Sequence, residues 1–147
     1  NSVQAIDLVF RKLINKNGDI IDRYINMIKI ETDLADEKIK PFKDEFNLQL
    51  DNLINFTSWI KDKINNSKDD VSAACNDYLK SLGYVSLAFA WIKVLEVCYR
   101  DYDDNKNFYE DKIQTAKFYF KRVLPRSESH FKIATTGSDY IMNFKFN

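Results

Sequence analysis

His130 is the only histidine in the chain, and that count removes several catalytic schemes at once. A di-iron site in a helical bundle needs two Glu-x-x-His units, and a three-histidine zinc site needs three imidazoles. Cys75 and Cys98 cannot make up the missing ligands. Both fall in one expected helix, where their spacing puts them about 35 Å apart. That distance also forbids a disulfide between them, so they are expected as buried thiols of a reducing compartment, the cytoplasm. His130 stands among Ser and Glu near a predicted helix start and is expected at the exposed surface.

Asp101-Tyr102-Asp103-Asp104-Asn105 begins like a calcium loop, with oxygen ligands at alternate positions. Lys106 stands where the loop needs Gly, and Lys112 where it needs a bidentate Glu, so an acidic inter-helix loop is expected instead. The three glycines, Gly18, Gly83 and Gly137, stand alone and form no phosphate-cradling loop. Lys117, Lys121, Arg122 and Arg126 cluster on and after one predicted helix. They fit a solvated face that favours the helix C-terminal dipole, or a hold for an anionic group. The Tyr and Phe residues concentrate after position 99. Ordinary packing accounts for them, or an interface with another domain or subunit, where aromatics are enriched. Asn55-Phe56-Thr57 and Asn65-Asn66-Ser67 match the glycosylation pattern, and with no secretory signal in view they are expected to be chance matches. No catalytic residue and no metal ligand is expected.

The elements that would position these groups are helical. The chain has 147 residues, 45% of them hydrophobic, with three Gly and two Pro. That is too apolar for disorder, too poor in turn residues for a many-stranded sandwich, and long enough for one domain with a sizeable core. Twenty-two basic residues balance twenty-two acidic ones, which disfavours a nucleic-acid partner held by phosphate neutralisation. Ile6, Val9, Phe10, Leu13 and Ile14 recur at helical spacing until Asn17-Gly18 breaks them. That first helix has no visible N-cap, so the chain is expected to continue from a longer one. Asp19 is expected to cap a second helix presenting Ile20, Ile21, Tyr24, Ile25, Met27, Ile28 and Leu34 to a core. Pro41 suits the first turn of a third, to about Asn65. Asp69 and Asp70 open the longest, to about Asp103. Asn107 and Glu110 resemble a capping box for a fifth, which Pro125 stops. Ser127 is expected to cap a shorter helix ending at Gly137, with the apolar tail from Ser138 packing as one more turn. Leu82 to Cys98 is nearly all apolar, but Lys93 and Glu96 inside it argue against a membrane span. The expectation is a single-domain, all-α bundle of five to six helices.

Two regions resemble a known family. Asn1-Ser2-Val3-Gln4-Ala5-Ile6-Asp7-Leu8-Val9-Phe10-Arg11-Lys12-Leu13 is similar to the segment following the Tyr-Glu-Gly-Thr motif of acyl-CoA dehydrogenases, where a helix reads Ala-x-Asp-Leu-x-x-Arg-Lys. From Tyr78 to Met142 the chain resembles the C-terminal extension domain of the larger bacterial members, including those acting on 3-(methylthio)propanoyl-CoA. The matching residues are Tyr78-Leu79-x-x-Leu82-Gly83-Tyr84-Val85 with Trp91, then Phe108-Tyr109-x-x-Lys112-x-x-Thr115-Ala116-Lys117-Phe118-Tyr119-Phe120-x-Arg122-x-Leu124-Pro125, and finally Gly137-Ser138-Asp139-x-Ile141-Met142. Residues 15 to 75 match in helical pattern alone.

The resemblance implies that residues 1–14 end the helix of a catalytic domain and residues 15–147 form the extension. The parent would be an FAD-dependent oxidoreductase of fatty acid metabolism that desaturates an acyl-CoA, its base the Glu of Tyr-Glu-Gly-Thr upstream of Asn1. The chain alone would then be inactive and hold no cofactor. Gln4 carries over as a residue near the flavin of the parent, and it is expected to face solvent in the isolated domain. Gly83 is expected to permit close helix approach and Trp91 to fill the core. The implied partners are the rest of the parent chain, its acyl-CoA substrate and a second copy in a homo-oligomer. The rival reading is a non-enzymatic helical protein-interaction module.

Overall fold

A computed structural model describes residues 2–15 and 19–145. Among them there is no strand, and the chain is an all-α bundle. Helix α1 (Ser2–Ile6) runs without a break into a π-helical stretch, Asp7–Leu13. Then come α2 (Asp19–Asp33), a 3-10 turn (Glu37–Ile39), α3 (Lys40–Lys63) and α4 (Lys68–Arg100). A second 3-10 turn (Tyr102–Asp104) leads to α5 (Lys106–Phe118), which also ends in a π-helical stretch, Tyr119–Val123. α6 (Arg126–Ala134) and the one-turn α7 (Asp139–Met142) close the described chain. The expected break at Asn17-Gly18 lies outside the described residues.

The caps show how local chemistry sets these ends. Pro41 sits in the first turn of α3, where its missing N–H costs nothing. Asp69 and Asp70 stand in the first turn of α4 as expected, and Ser67 caps it, its hydroxyl accepting from the Asp70 N–H at 3.2 Å. Asn105, not Asn107, caps α5 by accepting from the Phe108 N–H at 3.3 Å. Glu110 therefore completes no capping box; its carboxylate accepts from Gln114 and Tyr102 instead. Ser127 lies within α6, its hydroxyl buried against Gln49 Oε1 at 2.6 Å and Leu124 O at 2.8 Å. Pro125 precedes it as the N-cap residue.

α4 is the axis of the bundle, with α1, α3, α5 and α6 all packed on it. Its buried positions Val71, Ala74, Tyr78, Val85, Ala88, Ile92 and Leu95 meet Phe46, Leu50, Leu53, Phe56 and Ile60 of α3 and Ile113, Ala116 and Phe120 further on. Ala5, Val9 and Leu13 enter the same core. By length and composition α4 is apolar enough to cross a membrane. In the bundle, Lys93 on its flank pairs with Glu31 at 2.8 Å and Glu96 at 3.0 Å. The core of α2 is narrower than expected: Ile21, Ile25 and Ile28 are buried, while Ile20, Met27 and Leu34 are exposed, Leu34 to 79%. A 15-residue helix at the rim buries one stripe only. The tail likewise forms its turn but leaves Tyr140, Ile141, Met142 and Phe144 exposed.

The turn from α6 to α7 is held by one carboxylate. Asp70 Oδ1 accepts from the Ser138 N–H at 2.7 Å and the Ser138 hydroxyl at 2.8 Å. Lys63 Nζ lies 3.5 Å from Oδ2. Gly137 reaches this point through a φ of +82°, and a Cβ there would stand 3.2 Å from Asp70 Oδ1. Glycine is required at that position for both reasons.

Gly83 is the opposite case. It lies on the exposed side of α4, and an added Cβ would meet nothing within 4 Å. It permits no close approach, so the expectation drawn from the resemblance fails. The glycine only adds backbone freedom to the unfolded chain, and Gly83→Ala is expected to raise stability by about 1 kcal/mol. A urea titration of both proteins reads this directly. An unchanged or lower midpoint would show that the added methyl is not accommodated freely on this face of α4. Trp91 is half-buried at the edge of the core rather than inside it, with Tyr119 6.5 Å away between ring centroids.

Candidate functional site

Gln4 lies on the outer face of α1, exposed, between Val3 at 78% exposure and Ile6 at 51%. The opposite face of this helix buries Ala5 and Val9. The helix then widens: Ile14 N–H donates to Val9 O at 3.0 Å, five residues back. Such π turns occur frequently at functional positions. This one covers Asp-Leu-Val-Phe-Arg-Lys-Leu, with Asp7 and Arg11 paired at 2.9 Å across its surface. No compositional cue separates a π turn from an α turn, so it was not foreseen. An exposed residue on one helix turn offers a flavin a single amide and no enclosing wall.

In the acidic segment after α4, Asp101 and Asp103 are engaged by neighbouring cations. Asp101 accepts from Nε and Nη2 of Arg100, at 2.7 and 2.8 Å, and their pairing keeps its carboxyl below the usual range. Asp103 pairs with Lys106 at 3.2 Å, the residue that displaces the glycine a calcium loop needs. Among the described residues no group of three His, Cys, Asp or Glu side chains converges on a point. Cys75 and Cys98 are both free and buried. Burial pushes the Cys75 thiol up to about 11 and that of Cys98 upward, which leaves both inert at neutral pH.

His130 is not the exposed residue expected. Its side chain is 17% exposed, with Nδ1 2.7 Å from Asp77 Oδ1. The ring lies nearly parallel to Tyr84, 5.9 Å away. The pair ties α6 to α4. The sequence places Asp77 and His130 53 positions apart, and no local pattern marks them as partners.

The basic cluster is divided by the π turn that ends α5. Leu124 N–H donates to Tyr119 O at 2.9 Å across it. Lys117 and Lys121 line a hollow with Lys38, Phe42, Tyr99 and Phe120, while Arg122 and Arg126 do not line it. Lys121 is paired with Glu45 of α3. Tyr119 turns inward, its hydroxyl donating to Tyr84 O at 2.8 Å. Of the late aromatics, Phe120 and Tyr119 are buried and Phe131 partly so, which ordinary packing explains. Phe108 and Phe118 remain exposed, at 51% and 62%.

The residues singled out by the sequence thus lie in separate places on the bundle, and comparison with known proteins supplies the context. The model of the family described as Acetyl-CoA dehydrogenase C-terminal like matches residues 25–145. The match runs through the stretch from 25 to 75, where the sequence alone shows helical pattern and little else. No curated protein matches the chain significantly. With most of its length inside one family match and an all-α bundle as its fold, the chain belongs to the Acetyl-CoA dehydrogenase C-terminal like family.

Proposed function

We propose that this chain is the helical C-terminal domain of an FAD-dependent acyl-CoA dehydrogenase, itself non-catalytic, which packs on the catalytic bundle or its dimer. The family match over residues 25–145 carries the reading. The outer face of α1 supports it: Val3 and Ile6 are exposed apolar residues on the turn that holds Gln4, and such side chains together suit a covering partner. We take residues 1–14 as the end of the parent's catalytic-domain helix and Gln4 as a residue near its flavin. The flavin, when bound in the parent, accepts hydride from the acyl-CoA. This domain's residues would contribute shape and docking around that chemistry. The two buried free thiols agree with a cytoplasmic enzyme.

The reading is tested with the parent chain, FAD, an electron acceptor and a panel of acyl-CoAs that includes 3-(methylthio)propanoyl-CoA. Acyl-CoA-dependent acceptor reduction is expected from the full chain and none from residues 1–147 alone. A parent that binds no flavin and reduces nothing would overturn it. The second reading, a protein-interaction module, draws on the exposed Phe108 and Phe118 of α5 and would then take its place.

A further inference from the structure

The hollow beside Lys121 lies where four elements meet: the 3-10 turn before α3, the start of α3, the end of α4 and the π turn of α5. Its volume is about 330 Å³, near the lower end of the roughly 300–1,000 Å³ of small-molecule sites. Phe42 and Phe120 back it, edge to face at 5.2 Å between centroids, and Tyr99 and the lysine stems add apolar wall. Three lysines line it, Lys38, Lys117 and Lys121, against the single carboxylate of Glu45. Only Lys121 is paired there, with Glu45. Neither Lys38 nor Lys117 has a salt bridge among the described residues. An apolar wall under a net positive rim fits neither a bare inorganic anion nor a neutral hydrocarbon.

We propose that this hollow binds a small organic anion with an apolar body, a medium-chain or aryl carboxylate. The hydrocarbon lies against Phe42, Phe120 and Tyr99, and the carboxylate meets Lys117 and Lys38 at the rim. Lys121 stays with Glu45, which closes one side. A charge-assisted contact at an exposed rim adds to apolar burial without requiring a deep cavity. The inference is independent of the parent's dehydrogenation, because it rests on the lining of one hollow in this chain.

The test titrates the protein with octanoate, octanol and inorganic phosphate while backbone amide resonances are followed. Octanoate is expected to shift Phe42, Tyr99, Lys117 and Phe120, with octanol and phosphate each bound at least about tenfold more weakly, the equivalent of one such contact. Lys38→Gln and Lys117→Gln, both at exposed positions, are each expected to weaken octanoate about fivefold with an unchanged thermal midpoint. Lys29→Gln on α2 is expected to leave binding unchanged. Equal binding of octanol, phosphate as strong as octanoate, shifts confined to other residues, or indifference to both lysine variants would each overturn the proposal. So would the absence of any octanoate binding.

Discussion

Replacing Tyr78 by alanine is expected to cost about 4 kcal/mol, in the range measured for deleting a buried aromatic ring, and Tyr78→Phe about 1 kcal/mol. Tyr78 is fully buried on α4, with Phe56 edge-on at 5.2 Å and 85°. Its hydroxyl lies 2.9 Å from Thr57 Oγ1. Thr57 gives its one hydrogen to Leu53 O at 2.7 Å, so Tyr78 must be the donor in the pair. Losing the ring therefore opens a cavity between α3 and α4 and strips Thr57 of a partner. Losing only the hydroxyl leaves Thr57 bonded to its own helix. Urea unfolding of the three proteins separates the two costs; equal losses for Tyr78→Phe and Tyr78→Ala would show that the bond, not the packing, is what matters.

Alkali should find the same residue. Burial pushes the Tyr78 phenol up to about 12 from an unfolded value of 10.0. Tyr119 also rises to about 12, again through burial. A raised folded value means that the contribution is complete below pH 10 and is lost as the pH climbs toward 12. Stability should fall across that window, and fall less steeply in Tyr78→Phe.

Asp70→Ala should be the second large loss, about 2–3 kcal/mol, because two charge-assisted hydrogen bonds and a lysine partner go with one side chain. The carboxylate joins the start of α4 to the Ser138 turn and to the end of α3. Removing it leaves the Ser138 N–H and hydroxyl without their acceptor and frees the turn that Gly137 shapes. The bonds from Ser138 also hold the Asp70 carboxyl below 3.8. Its share of stability is therefore present above that value and is lost as the pH falls through the lower folded value. Melting Asp70→Ala beside the parent protein from pH 7 to pH 2 tests both parts. The gap in midpoint should close at the acid end, and a constant gap would deny Asp70 its charged role.

Much of this fold could be read from spacing. Phe42, Phe46, Leu50, Leu53, Phe56 and Ile60 trace the buried stripe of α3 by periodicity alone, because a 3.6-residue repeat has one face to hide. The misreadings cluster where a local pattern competes with a distant partner. Asn107 had a suitable glutamate three residues on, yet Asn105 made the bond. Ser127 looked like a cap and was instead drawn inward by Gln49, 78 positions away. Leu34 and Met27 continued the apolar spacing of α2 past the point where the bundle had anything to cover them. The two π turns carried no compositional trace. The hollow beside Lys121 needed four elements brought together, so Lys117 and Lys121 read as either a solvated helix face or a hold for an anionic group, and nothing marked Lys38 as their neighbour. Gln4 was legible through the resemblance alone, and nothing in its spacing would single it out.

α4 has a further consequence for how the molecule comes apart. The helix runs 33 residues, about 50 Å, and touches elements from both ends of the chain. Opening either end uncovers its apolar surface, so no half of the bundle retains a closed core. Unfolding should be all-or-none, and the amides at the centre of α4 should exchange with solvent only when every helix is lost.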